Sequence, residues 1–376
     1  MWVWPTPLPP GLPARSFAKD DERMIPTPAN LAAAASNVAT KIFGNGLADL
    51  RPMPRVLIDQ GPSRSVYRLS GPDAQGPPVL LVPPLAAPAL CFDLRRGCSL
   101  AEHLVREGRR VYLVDYGTIA FADRALGIEH WIEYVIPHAV RAVSADADGA
   151  GVNLVAWCLG GIFSLLTTAD SADLPVASIT AVATPIDFTA IPLVAPLRPL
   201  TDLTGGWILS GPARLLGGVP SPIVKWVYQL SGFDKYITKP VAILSHLDDR
   251  EFLAQIEAVD RFIDRMIAYP GRTFGQIYHR FFRANDLSNG TVSIDDRQIS
   301  LADVRVPTLV IAGLGDGIAP KRSVHRLVDV LGGAPDVRYA EFPGGHLGVL
   351  TGRRARTTTW PEISTFLDEQ AKTAVA

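Results

Sequence analysis

The chain of 376 residues is long enough for one large α/β domain with an insertion, or for two domains. With 48% hydrophobic and 19% charged residues it can bury a sizeable core, which excludes wholesale disorder. A formal charge of -1 with no basic block gives no nucleic-acid footprint, and the three cysteines Cys91, Cys98 and Cys158 are too few and oddly counted for a disulfide framework, which fits a reducing compartment.

Residues 1–50 read as a proline-rich arm followed by one helix, "PANLAAAASNVATKIFGNGL", with proline near its start and glycine at its end. The N-terminus lacks the charged region and unbroken apolar stretch of a signal peptide. No apolar run reaches about 18 residues without proline or charge. The expectation is a soluble, cytoplasmic protein. "RVLIDQGPSRSVYRLSG" predicts two short strands joined at Gly61-Pro62, and "PPVLLVPPL" a strand buried on both faces. "SLAEHLVREGRRVYLVDYG" predicts a helix, a glycine stop and a strand ending at Asp115. "IEHWIEYVIPHAVRAV" is helical, with Pro137 set to divide it. "GVNLVAWC" is the next buried strand and "LGGIFSLLTTADS" its helix. "ASITAVATPIDF", "VPTLVIAGLGD" and "VRYAEFP" follow as strands, and "WPEISTFLDEQA" as a last helix.

Alternating strands and helices predict an α/β fold with a mostly parallel, doubly wound sheet covered on both sides. Its first part spans 51–187 and its second 301–376. Residues 188–300 interrupt the alternation with sequence rich in Trp, Tyr, Phe and Leu, including Trp207, Trp226, Tyr228, Phe281 and Phe282, and with a helical pattern in "DREFLAQIEAVDRFIDRMIAY". They are read as a cap inserted over the carboxyl ends of the strands, because exposed aromatics in an insertion need something beneath them.

The chemistry is sought at those carboxyl ends. A lone cysteine is more often an inert small hydrophobe than a nucleophile. Cys158, however, stands between a buried strand and a helix opened by Leu159-Gly160-Gly161, with Ala156 two residues before it. That is the nucleophile-elbow pattern with cysteine for serine and alanine for the first glycine. The acid and histidine of such a site follow the nucleophile in chain order, each after a strand. Asp316 in "LVIAGLGDGIAP" and His346 in "AEFPGGHLG" occupy those places. His346 would deprotonate Cys158, and Asp316 would orient His346. For an oxyanion, one backbone N–H would come from Leu159 and another from Leu85 or Ala86, because Pro83 and Pro84 have none. The other histidines sit in helical patterns or in the insertion, with no zinc spacing and no phosphate-binding glycine loop, so no metal or nucleotide cofactor is indicated.

From about residue 52 to 368 the chain resembles the polyhydroxyalkanoate synthases, particularly their shorter class III catalytic subunits. The resemblance rests on "VYLVDYG", "VNLVAWCLGGIFSLL", "ATPIDF", "FRANDLSNGTVSIDDRQISLADVRVPTLVIAGLGDGIAP" and "FPGGHLGVLTG". It implies an α/β-hydrolase fold with a cap and a Cys-Asp-His triad that falls on Cys158, Asp316 and His346. It also implies condensation of 3-hydroxyacyl-CoA into polyester with release of CoA. A homodimer or an accessory synthase subunit, and association with polymer or lipid granules, are the partners it suggests. Two departures remove polar groups near the mouth of the site: the loop reads Ala86-Ala87-Pro88-Ala89-Leu90, where synthases carry Asn, a basic residue and Tyr, and Gly317 follows the acid where they carry His. A lipase, esterase or thioesterase using the same triad, and an inactive scaffold or granule-binding protein, are the alternatives.

Overall fold

The computed structural model describes residues 27–44, 46–71, 73–192, 211, 217–230 and 233–375. Most of the proline-rich arm, residues 1–26, and Trp207 lie outside these. Helix α1 (Pro28–Phe43) starts where Thr27 accepts a hydrogen bond from the Asn30 N–H, has proline in its first turn and stops at Gly44. Strands β1 (Val56–Gly61) and β2 (Arg64–Arg68) form the expected hairpin. Strand β3 (Pro78–Val82) is buried at every position. Ser99 caps helix α2 (Leu100–Arg106), which precedes strand β4 (Arg110–Asp115). A wide π-type turn over His130–Val135 leads into helix α3 (Ile136–Asp146). Pro137 falls where the π-type turn passes into α3 without a break; it has no N–H to donate, and the Ile132 carbonyl of the preceding turn accepts from Thr167 Oγ1 (2.9 Å).

Strand β5 (Val152–Trp157), helix α4 (Leu159–Asp170) and strand β6 (Val176–Val182) complete the first half. Helices α5 (Ser221–Leu230), α6 (Phe233–Ser245) and α7 (Arg250–Asp264) come from the insertion. Strand β7 (Thr308–Gly313), helix α8 (Lys321–Val330), strand β8 (Val337–Phe342) and helix α9 (Thr359–Val375) close the chain.

The eight strands form one sheet in the order β1-β2-β4-β3-β5-β6-β7-β8. The two pairings of β2 are antiparallel and those from β4 to β8 are parallel. From β3 the chain runs outward to β4 and then returns to β5 on the other side of β3, so β3 and β5 flank the point where the winding reverses. Loops leaving their carboxyl ends diverge there and open a crevice. Asn153 is the polar exception inside β5. Its Nδ2–H donates to the Pro78 carbonyl (3.2 Å) and its Oδ1 accepts from Ser178 Oγ (2.7 Å), so it ties three neighbouring strands without an orphaned polar atom.

The aromatic residues assigned to the insertion do not all turn inward. Phe281 is buried and Phe282 and Tyr228 are half-buried, but Trp226 is 60% exposed. On α5, Val224 and Tyr228 are four residues apart and share the inward face; Trp226, between them, points outward. Aromatic composition marked the insertion as apolar and did not say which way each ring turns. Late in the insertion, the hairpin Thr291–Ile294 with Arg297–Ser300 buries Val292, Ile294 and Ile299 in the main core beside α4.

Close packing of α4 on the sheet depends on Gly160. A Cβ there would lie 2.5 Å from the Val82 carbonyl oxygen and 2.6 Å from that of Pro83, both backbone atoms that cannot yield cheaply. Gly160→Ala should therefore cost about 1–3 kcal/mol by overpacking, although alanine is the better helix former by about 1 kcal/mol. Gly348→Ala, where a Cβ meets nothing, should leave stability unchanged or slightly raised. Denaturant melts of the two variants check this.

Candidate active site

The crevice between the ends of β3 and β5 holds Cys158. The residue sits alone between the last strand residue, Trp157, and the first helix residue, Leu159, with φ 55° and ψ -122°. A side chain other than glycine in this region costs about 1–3 kcal/mol. Burial of Val152, Leu154 and Val155 beside it, at about 1.5–3 kcal/mol each, outweighs that strain. Besides Gly160, Gly161 has room only for hydrogen, since a Cβ would strike Thr184 Oγ1. The result is a thiol lifted off the sheet at the N-terminus of α4.

His346 arrives on the loop after β8. Gly344 (φ 152°) makes the return possible, and a Cβ on it would press the Val349 nitrogen at 2.6 Å. The neighbouring loop after β7 is tied to this one by the Gly315 N–H donating to the Gly344 carbonyl (2.8 Å). That loop carries Asp316, whose Oδ1 accepts from the N–H groups of Ile318 and Ala319, both at 2.8 Å. Its Oδ2 accepts from His346 Nδ1 at 2.8 Å, and its side chain is fully buried. Cys158 lines the same cavity as His346 and is the other group that acts electrostatically on the imidazole. With Nδ1 committed to Asp316, Nε2 is left for the sulfur. Burial pushes the His346 pKa down, but the charges of Asp316 and Cys158 and the hydrogen bond to Asp316 prevail and raise it to about 10. The imidazolium form is thus the favoured one at neutral pH. Asp115, the rival carboxylate, is not part of this arrangement: it accepts from the Gly117 N–H and lies 3.9 Å from Arg55.

Trp157 was not singled out from the sequence. It is buried, its Nε1–H donates to the His346 carbonyl (3.1 Å), and its ring lies 4.9 Å from the imidazole. The only signal for it was its place directly before the cysteine.

Leu85, Ala86 and Leu159 all border the same cavity as Cys158. Ala86 is in a left-handed conformation (φ 68°), and its carbonyl accepts from the Ile267 N–H (2.8 Å), so the insertion pins the loop after β3. Leu159, the first residue of α4, has no intrahelical acceptor for its N–H. Among the described residues the N–H groups of Leu85 and Ala86 have no acceptor either. The cavity measures about 280 Å³. Besides Cys158 and His346 its wall is almost wholly apolar, and the insertion supplies Val224, Tyr228, Met266, Tyr269, Phe274 and Ile277. Among the described residues no group of three or more His, Cys, Asp or Glu side chains could hold a metal ion, and no helix is long and apolar enough to cross a membrane.

The sheet order, the one-residue strand-to-helix turn and the sequence order nucleophile, acid, histidine define an α/β-hydrolase fold, and the chain is an enzyme of the acyltransferase or hydrolase kind. It is, more closely, a polyhydroxyalkanoate-synthase-like α/β-hydrolase. The poly(3-hydroxyalkanoate) polymerase subunit PhaC of Allochromatium vinosum is 28% identical over 345 residues, covering 87% of this chain and 94% of that protein. The subunit of the same name from Thiocystis violacea is 25% identical over 348 residues (88% and 95%), and that of Synechocystis 25% over 358 residues (88% and 91%). No family model matches the chain. Similar solved structures include mouse alpha/beta hydrolase domain-containing protein 10 (TM-score 0.49, 16% identity, 84% of this chain and 99% of that one). A structure from work on the metagenome-derived lipolytic enzymes LipS and LipT is also similar (TM-score 0.49, 12% identity, 81% and 97%).

The raised His346 pKa has a direct readout. In the wild type the imidazole resonances should still be those of the protonated ring at pH 8. Asp316→Asn and Cys158→Ala, by removing the two raising influences, should each move the titration to lower pH. An NMR titration of labelled histidine checks both shifts.

Proposed function

We propose that the chain is a cysteine-dependent acyltransferase that takes the acyl group of a 3-hydroxyacyl-CoA onto Cys158 and passes it to the hydroxyl of another 3-hydroxyacyl group, so that polyester grows and CoA leaves. The observation that carries this reading is the placement of Cys158, on its strained turn, in the wall of the same apolar cavity as His346, whose Nδ1 donates to Asp316.

In this scheme His346 holds the proton taken from Cys158, and the thiolate attacks the thioester carbonyl. Negative charge moves to the carbonyl oxygen, which accepts from the N–H of Leu159 and from that of Leu85 or Ala86. Collapse breaks the bond to the CoA sulfur, and the imidazolium returns its proton to the departing thiolate. The hydroxyl of the second acyl group then gives its proton to His346 as its oxygen attacks the Cys158 thioester. An ester forms and the thiol is regenerated. Asp316 keeps Nδ1 protonated throughout, so that Nε2 always faces the sulfur. Chain growth demands that the acyl-enzyme wait for a hydroxyl and not react with water. The apolar lining supports this, because only a few polar groups are present to hold water near the thioester. The insertion acts as the cap that excludes solvent, and no cofactor takes part.

Three cysteines give an internal control. Cys158→Ala should abolish CoA release from 3-hydroxyacyl-CoA, and Cys158→Ser should leave a slow enzyme. Cys91→Ala and Cys98→Ala should retain turnover, since both thiols are buried. His346→Ala should lose roughly 10²-fold or more, the usual scale of general-base catalysis. Product analysis after complete consumption of the thioester distinguishes the two chemistries of this fold: polyester is the expected product, whereas free 3-hydroxy acid alone would make the protein a hydrolase.

A further inference from the structure

A second cavity, about 370 Å³, has the opposite chemistry to the first. Arg124, Arg272, His279, Arg280 and Gln276 line it, and the rest of its wall is glycine backbone; among the described residues no carboxylate faces it. Arg272 is held in place by Glu129 (2.8 Å) and Asp295 (3.1 Å), and Arg280 lies 3.8 Å from Asp286. Arg124 has no carboxylate partner among the described residues. Its guanidinium instead lies 4.6 Å from the centre of the Phe121 ring and donates to the Phe121 carbonyl (3.2 Å). That ring, 61% exposed, sits beside Gly217 at the rim.

The two cavities share a wall. The helical segment from Gly271 to Arg283 turns Phe274 and Ile277 toward Cys158, and Arg272, Gln276, His279 and Arg280 toward the basic side. The short ladder of Gly218–Val219 with Tyr269–Pro270 continues it. Val219 and Tyr269 belong to the apolar cavity, while Gly217 and Gly271, joined by an N–H···O bond of 3.0 Å, border the basic one.

We propose that the basic cavity is the seat of the phosphorylated nucleotide end of CoA, with the pantetheine arm crossing the shared wall to deliver the thioester to Cys158. This rests on the acyl-CoA reading above and goes beyond it by naming the residues that select the carrier. Arginine is the side chain whose planar fork matches phosphate oxygens, and the volume exceeds what a free phosphate would fill. The exposed Phe121 ring and the Arg124 guanidinium offer the purine a surface to stack on. The two lengths to be compared are of the same order. A helix with its side chains is about 10–12 Å across, and a pantetheine arm is about as long as four or five extended residues, roughly 15 Å at about 3.5 Å each. Arg124 bears most of the selectivity because no carboxylate among the described residues competes for it.

The test uses the full chain and two substitutions at exposed positions, Arg124→Glu and Arg280→Glu. Calorimetric titration with CoA should show affinity lower by roughly tenfold or more in each variant, the scale of one lost charge-assisted contact. Adenosine 3′,5′-bisphosphate should compete with CoA, and inorganic phosphate should compete only weakly. In thiol-release assays, the ratio of kcat/KM for 3-hydroxyacyl-CoA to that for the matching N-acetylcysteamine thioester, which has no phosphate, should fall by a similar factor. Wild-type CoA affinity in both variants, no CoA binding to the wild type, or an unchanged substrate ratio would overturn the proposal. Loss of CoA binding in the variants of a protein that turns over no thioester would keep the site and remove the acyl-transfer reading.

Discussion

At the end of β5 the backbone passes from strand to helix through a single residue, and the rest of the site is built around that turn. Cys158 can hold φ 55° only because its neighbours leave no slack. The strand before it is buried at every position, and the helix after it lies so close to the end of β3 that a methyl group at Gly160 would collide with backbone carbonyls. The same contact brings the loop after β3 beside the start of α4, and so gathers the N–H groups of Leu85, Ala86 and Leu159 around one cavity. Trp157, the residue preceding the turn, carries the constraint further by holding the His346 carbonyl. Displacing the turn would therefore disturb the thiol, the N–H groups and the imidazole together.

The environment beyond the turn is divided by polarity. On one side Cys158 and His346 line an apolar cavity, and the buried Asp316 bonded to the imidazole acts with Cys158 to raise its pKa despite its burial. On the other side, one helix away, arginines gather over glycine backbone. The proposed acyl-CoA would set its acyl end in one cavity and its phosphorylated end in the other, so that neither need be amphipathic. The insertion between β6 and β7 serves both, because the segment from Gly271 to Arg283 forms their common wall and Ile267 pins the loop after β3.

How much of this was legible in the sequence followed from burial. Strands covered on both faces are written as mainly apolar runs, interrupted in β5 only by Asn153, so β3, β5 and β7 stand out, and Cys158 and Asp316 stand out as the first chemically active residues beyond such runs. His346 was marked by the two glycines before it. What involves tertiary direction was not legible. No glycine signals the left-handed turn at Ala86; its geometry is held by Ile267, remote in the chain. Aromatic composition marked the insertion as apolar, yet it did not say that Tyr228 faces in and Trp226 out. Arg124 stands in the first half of the sheet domain and Arg272 and Arg280 in the insertion, so no local charge run announces their cavity. Trp157 read as one more core residue, since its hydrogen bond is to a carbonyl far along the chain.

In the proposed reaction the acyl group is carried by the thiol at the strained turn. Mixing the protein with one equivalent of 3-hydroxyacyl-CoA, quenching in acid within a single turnover and mapping the peptides by mass spectrometry tests it most directly. The account predicts a thioester adduct of the acyl mass on Cys158, sensitive to neutral hydroxylamine and absent in Cys158→Ala. An adduct on another residue, or CoA released at the full rate with Cys158 unmodified at every quench time, would contradict it.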